Sequence, residues 1–272
     1  MNSGQHYSLD QLLELMSRLR DPNDGCPWAG AQTFTSLAPY LLEESYELVD
    51  AVERGDHQHM KEELGDVLFQ VIFYAQLAAE QKHFDFADIV SSLTEKLLRR
   101  HPHVFPDGQL SSRNDGAPAS SEQIHGNWEA TKSVERGARD MPGMLDDIPL
   151  VLPALSRAAK MQKRVSRVGF DWAKIADVLA HFESEVRELV AAREQKSHDN
   201  INEELGDVLF SAVNLARHLK VDPETALRRA NRKFDGRFSY IEQQLKSSGQ
   251  LPEQASLELM DALWDQAKAK GL

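Results

Sequence analysis

The octapeptide Glu62-Glu63-Leu64-Gly65-Asp66-Val67-Leu68-Phe69 returns without a mismatch as Glu203 to Phe210. A repeat of that length is far beyond chance in 272 residues, so the chain reads as two copies of one unit. In each copy an Asp follows a Glu by three residues: Glu63 and Asp66, then Glu204 and Asp207. On a helix that step sets two carboxylates on one face, about 5–6 Å apart at Cβ. A second acidic pair begins nineteen residues before each of these glutamates, as Glu44 and Glu47, then Glu185 and Glu188.

The pattern around the acids is helical throughout. Leu41, Leu42, Ser45, Leu48, Val49 and Val52 keep the 3.6-residue period, with Pro39 expected in the first turn of that helix. Leu64, Val67, Leu68, Val71, Ile72 and Ala75 keep it through a predicted helix over 57–81. The turn at Gly55-Asp56 is short, so the two helices are antiparallel neighbours. With about 1.5 Å rise per residue, Glu47 before the turn and Glu63 after it reach a similar height, and four carboxylates converge. The second copy repeats this with helices over 173–192 and 200–219, and Val178, Leu179, Phe182, Val186, Leu189 and Val190 are expected inward.

Ser8 with Gln11 makes a capping-box start for an earlier helix, and further helices are expected over 86–100, from Asp222-Pro223 to 245, and from Pro252 onward. The stretch 106–126, rich in Ser, Gly, Asp, Asn and Pro, reads as a mobile loop. Gly137, Pro142, Gly143, Pro149 and Pro153 mark 136–153 as a linker. Nothing reads as a strand. The expected fold is all-α, a tandem repeat of helical-bundle units over 1–135 and 154–272.

Composition narrows the partners. A formal charge of −12 argues against nucleic acid and anionic lipid, which select basic surfaces. No apolar run of about 18 residues is present for a membrane span, and residues 1–11 carry neither the basic nor the apolar part of a signal peptide. The single cysteine, Cys26, leaves no intramolecular disulfide and fits a reducing compartment. The expectation is a soluble cytoplasmic protein.

Acids on helices usually face water. Here they border the apolar stripe and pair across adjacent helices. Four carboxylates brought together repel, and some stay protonated unless a cation sits among them. Oxygen-only ligation suits Mg²⁺, with Mn²⁺ as a substitute, so Glu44, Glu47, Glu63, Asp66, Glu185, Glu188, Glu204 and Asp207 are the candidate metal ligands. Gly65 and Gly206 cost roughly 1 kcal/mol each inside a helix. Either a side chain there would obstruct something, or helices pack tightly at that point. The likeness extends further: Lys96 and Arg100 match Lys233 and Arg237, and Trp128 and Lys132 match Trp264 and Lys268. The cations are either phosphate contacts or ordinary surface charge. The tryptophans either fill a core or cover an aromatic ring. Rival chemistries lack their parts. Neither quartet has the Glu-x-x-His of di-iron proteins, phosphate-binding glycine loops are missing, and Cys26 and the His198-Asp199 dipeptide read as incidental.

These acidic sets, together with Cys26-Pro27-Trp28, Gln32-Thr33, His101-Pro102-His103-Val104-Phe105 and Val168-Gly169-Phe170-Asp171-Trp172, resemble the two-domain bacterial MazG nucleoside triphosphate pyrophosphohydrolases. The likeness runs over essentially the whole chain. It implies Mg²⁺-dependent cleavage of nucleoside triphosphates between the α and β phosphates, a helical homodimer with bundle sites completed across subunits or repeats, and a role in cleaning the nucleotide pool. It further implies catalysis by the C-terminal copy through Glu185, Glu188, Glu204 and Asp207. Lys233, Arg237, Lys268 and Trp264 would then bind substrate, with Lys96, Arg100, Lys132 and Trp128 as their N-terminal counterparts. The fuller family pattern, Glu-Glu-x-x-Glu, stands as Glu43-Glu44-x-x-Glu47 in the first copy, whereas the second has Ser184 in the leading position. The alternative function is regulatory: a helical protein that binds nucleotide or a protein partner, with one or both copies degenerate.

Overall fold

A computed structural model describes residues 6–113, 120, 143–195 and 197–272. Among the described residues the chain is all-α, with no strand. The helices are α1 (Leu9–Leu19), α2 (Pro27–Ala31), α3 (Phe34–Arg54), α4 (His57–Glu80), α5 (Phe86–Arg100), α6 (Ala154–Ser166), α7 (Ile175–Gln195), α8 (His198–His218), α9 (Pro223–Ser247) and α10 (Leu257–Ala269), with a 3-10 turn at Pro252–Gln254. The chain divides into two compact units, Met1–Glu135 and Arg136–Leu272. Trp128, Lys132, most of the loop expected over 106–126 and the start of the expected linker lie outside the described residues. No described helix is long and apolar enough to cross a membrane.

In the first unit α3 and α4 pack along one another. Gly55 closes α3 in the left-handed region at φ 70°, and the Asp56 carboxylate accepts from the His59 N–H to open α4. The helix α3 starts earlier than Pro39 suggests. Thr33 and Ser36 cap each other reciprocally, at 3.1 and 2.9 Å, and this nucleates the helix at Phe34 with Pro39 inside it. Residues 27–31 form the short α2, with Pro27 in its first turn. The core gathers Met16, Ala29 and Leu37 against Ile72, Phe73 and Leu77. Arg20 locks this corner. Its guanidinium takes both oxygens of Glu80 at 2.8 and 2.7 Å, donates to the Ala29 carbonyl and lies over Phe73.

In the second unit α7 and α8 form the corresponding pair, and α6 lies on α8, where Gln162 donates to the Phe210 carbonyl at 2.8 Å. The helices α9 and α10 share a smaller core of Ile241, Leu245 and Leu263. The described part of the stretch read as linker packs here: Ile148 is buried, and Asp147 pairs with Arg164 of α6 at 2.5 Å.

The apolar stripes are covered less than their periodicity suggests. Leu64, Leu68, Leu179, Val186 and Val190, all expected inward, stay exposed. A hairpin of two helices buries only the seam between them, and the buried residues of α4 cluster beyond the octapeptide, from Gln70 to Ala78.

Both octapeptide helices end on a lysine in the left-handed region, Lys82 at φ 60° and Lys220 at φ 58°. After α8 the Val221 N–H returns to the Ala216 carbonyl, a glycine-favouring helix stop. A side chain with Cβ costs roughly 1–2 kcal/mol there, partly offset by the freedom glycine has when unfolded. Lys220→Gly is therefore expected to raise stability in urea unfolding by about 0.5–1 kcal/mol. An unchanged or lower midpoint would contradict the strain.

Candidate active site

In the first unit α3 carries Glu44 and α4 carries Glu63 and Asp66, with one carboxylate oxygen of each within 4.8 Å of the others. In the second, Glu185 and Glu188 on α7 meet Glu204 on α8 within the same limit. Glu47 and Asp207 fall outside these two triads, but both lie close enough to act on them. The Glu44 carboxyl is pushed above the usual range by burial first, then by the charges of Asp66, Glu47, Glu63 and Glu43. Glu204 is pushed up in the same way, by burial and then by Glu188, Asp207, Glu185 and Glu203.

Glu63 is 5% exposed, and its Oε2 is buried without a hydrogen-bond partner among the described residues, while Oε1 lies 3.0 Å from His59 Nε2. A buried carboxylate oxygen with no donor, beside two further carboxylates, fits a bound cation. In the second unit the Ser184 hydroxyl donates to Glu188 Oε1 at 3.0 Å. Where the first copy has Glu43, a fifth negative charge, the second has a donor that orients an acid.

Gly65 and Gly206 resolve one alternative. A Cβ built on either would meet no atom of the described residues within 4 Å, so tight helix packing among the described residues of its own unit does not call for glycine there.

Arg237 lies over the Trp264 ring at 5.2 Å and donates to the Leu272 carbonyl at 2.8 Å. Lys268 pairs with Asp265 at 2.9 Å, and Lys233 is exposed on α9. Trp264 packs beside Phe234 and on the α9–α10 core. Lys96 and Arg100 are half-buried on α5. Trp128 and Lys132 are outside the described residues.

Two features escaped the reading of the sequence. His59 precedes Glu63, and His181 precedes Glu185, by four residues. Each imidazole reaches the acid one turn on, the second at 3.3 Å. That step is visible in the sequence. The other is a charged knot at the loop before α7. Asp171 accepts from both terminal nitrogens of Arg217, at 2.8 and 2.5 Å, and lies 3.0 Å from His218 Nε2. Nothing local in the sequence points to it.

A comparison of the chain with known families matches the MazG nucleotide pyrophosphohydrolase domain twice, over residues 32–105 and 174–241. This chain belongs to the MazG family. Both MazG matches include the acidic quartet of their unit. The chain is 46% identical over 262 residues to the nucleoside triphosphate pyrophosphohydrolase of Escherichia coli K12, covering 96% of this chain and 97% of that one. It is 44% identical over 259 residues to the nucleoside triphosphate pyrophosphohydrolase/pyrophosphatase MazG of Thermotoga maritima, covering 95% of each. A nucleoside triphosphate pyrophosphohydrolase of Mycolicibacterium smegmatis matches at 40% over 157 residues, 57% of this chain and 45% of that one.

The Asp171 knot has a pH signature. Hydrogen bonds from Arg217 above all, then from His218, hold the Asp171 carboxyl at about 2, below its ordinary 3.8. A carboxyl depressed on folding stabilises the protein fully above its unfolded pKa and loses that contribution as pH falls through the folded one. The wild type should lose up to roughly 2 kcal/mol from this group between about pH 4 and pH 2. Asp171→Asn should be less stable at neutral pH and lack this component of the acid loss. Parallel stability-versus-pH curves for the two proteins would contradict the assignment.

Proposed function

We infer that the C-terminal unit carries the centre at which this chain hydrolyses nucleoside triphosphates to the monophosphate and pyrophosphate. The observation that carries this reading is the convergence of Glu185, Glu188 and Glu204 from two helices onto one point. Those three, with Asp207 one turn beyond Glu204, would hold a divalent cation, Mg²⁺ or in its place Mn²⁺. When bound, such an ion neutralises charge on phosphate oxygens and makes water a better nucleophile at neutral pH. One of these glutamates would take the proton from the attacking water. Lys233, Arg237 and Lys268 stabilise the phosphate chain, and Trp264, with Arg237 over its ring, packs near the nucleoside. The N-terminal triad binds a cation in the same manner, with the orphaned oxygen of Glu63 in support. The biological role is housekeeping of the nucleotide pool in the cytoplasm.

We further propose that the chain works as a homodimer. Leu205, Leu209, Phe210, Val186 and Val190 are exposed large apolar residues on α7 and α8, and Leu42, Tyr46, Leu64 and Leu68 are the same on α3 and α4. Monomers rarely leave such surface uncovered. The open space over Gly65 and Gly206 leaves room for a helix of the second copy to approach the backbone between the acids.

The assay is pyrophosphate release from a mixture of nucleoside triphosphates with Mg²⁺. Glu204→Gln and Asp207→Asn should each lower kcat at least about 100-fold, beyond the 10- to 100-fold typical of losing an outer-shell partner of a metal. Unchanged turnover in both variants would remove the assignment. For the dimer, sedimentation should give twice the chain mass at micromolar concentration and a monomer for Leu209→Arg. A monomeric wild type would overturn it.

A further inference from the structure

Outside the acidic triad of the C-terminal unit, a line of side-chain contacts ends on Glu185. It begins in the last turn of α8, where Arg217 and His218 both bind Asp171. Arg217 is itself held by the buried Asn214, whose Oδ1 accepts from its Nε at 3.1 Å and from Nη2 at 2.6 Å. Asp171 Oδ1 also accepts from the Trp172 N–H at 2.9 Å, so fixing the carboxylate fixes the backbone from which the indole projects. The indole lies on the imidazole of His181, with ring centroids 4.7 Å apart and planes 30° from parallel. His181 Nε2 is 3.3 Å from Glu185 Oε1. The imidazole thus lies beside the carboxylate of the acid one helical turn on. A side chain whose plane is set by a stacked ring and whose ring nitrogen lies beside a ligand oxygen restricts where that carboxylate can sit.

The first unit is built differently at this point. There Trp28 meets Tyr40 edge-on at 6.0 Å, and Tyr40 takes the place of His181 four residues before Glu44. The imidazole comes instead from His59 and reaches Glu63. Each triad thus has one acid oriented by an imidazole from its own helix, and the acid chosen differs.

We propose that His181 is a positioning residue for Glu185, held in place by Trp172, and that the knot of Asp171, Arg217 and His218 fixes Trp172 in turn. The last turn of α8 thereby sets the geometry of the C-terminal acidic triad. The proposal rests on reading Glu185 as a metal ligand.

The test is Mn²⁺ binding to the full chain, followed by electron paramagnetic resonance of the free ion. All variants carry Glu44→Ala and Asp66→Ala, so that the C-terminal site is the one titrated. Glu185→Ala should abolish that site. His181→Ala should weaken Mn²⁺ about 10-fold, the low end of the usual effect of losing such a partner, and His181→Gln, which keeps a donor, should recover most of it. Arg217→Ala and Trp172→Ala should weaken it about 3- to 10-fold by the same route. In the otherwise unmodified chain, His181→Ala should shift the Mg²⁺ activation curve of pyrophosphate release to higher concentration more than it lowers kcat at saturating Mg²⁺. If Glu185→Ala binds Mn²⁺ normally, the reading of the site itself fails. If Glu185→Ala loses the ion while His181→Ala and Trp172→Ala bind it as the parent does, the site stands and the positioning role is overturned. Arg217→Ala is interpreted only if its thermal midpoint stays within a few degrees of the parent. Otherwise His181→Ala and Trp172→Ala decide the matter.

Discussion

Carboxylates gathered at one point repel, and the two helix pairs of this chain are organised around containing that repulsion. Glu44, Glu63 and Asp66 meet in one unit, and Glu185, Glu188 and Glu204 in the other, with oxygens within 4.8 Å. Burial and neighbouring charge together raise Glu44 and Glu204 above the ordinary carboxylate range. The protein meets this strain with polar partners from its own helices: His59 lies beside Glu63, His181 beside Glu185, and the Ser184 hydroxyl donates to Glu188. Those partners are few. One buried oxygen of Glu63 has none among the described residues, and such a set of acids suits a divalent ion, the partner that brings the most charge in the least volume.

The scaffold that brings the acids together is economical in contacts near them and generous further away. Glu63 apart, the buried side chains of α4 lie past the octapeptide, where Met16, Ala29 and Leu37 pack on Ile72, Phe73 and Leu77. In the second unit α6 and α9 brace α8. Around the acids, leucines and valines stay exposed and the glycines face open space. A rigid end and an uncovered end on one helix pair suit a site that is completed from outside the unit, by substrate, ion and a second copy.

Much of this was legible in the sequence, for physical reasons. Side chains three and four residues apart share a helix face, so the acidic spacing, the apolar stripe and the short Gly55-Asp56 turn together fix which acids can meet. The same rule applied to histidine would have found His59 and His181. Pro39 does not mark the start of α3, because the reciprocal cap of Thr33 and Ser36 opens the helix upstream of it. The exposure of Leu64, Leu68, Val186 and Val190 was not legible, because periodicity marks the face that seeks cover and not whether the same chain supplies it. The Asp171–Arg217 pair was beyond reach for another reason. Its members are 46 residues apart, one in a loop and one at a helix end, where no period applies. The cationic set was legible as a repeat only: Arg237 and Lys268 find partners on their own helix pair, and spacing alone does not say where a long side chain comes to rest.

The central claim is that the carboxylates of α7 and α8 close around a divalent ion that meets the phosphates of a nucleotide. Crystals grown with Mn²⁺ and a triphosphate whose α–β bridge resists hydrolysis test it directly, through the anomalous signal of the metal. The account predicts a peak within coordination distance of Glu185, Glu188 and Glu204, with phosphate oxygens on its open side. Nucleotide bound elsewhere, with no peak among those acids, would contradict it.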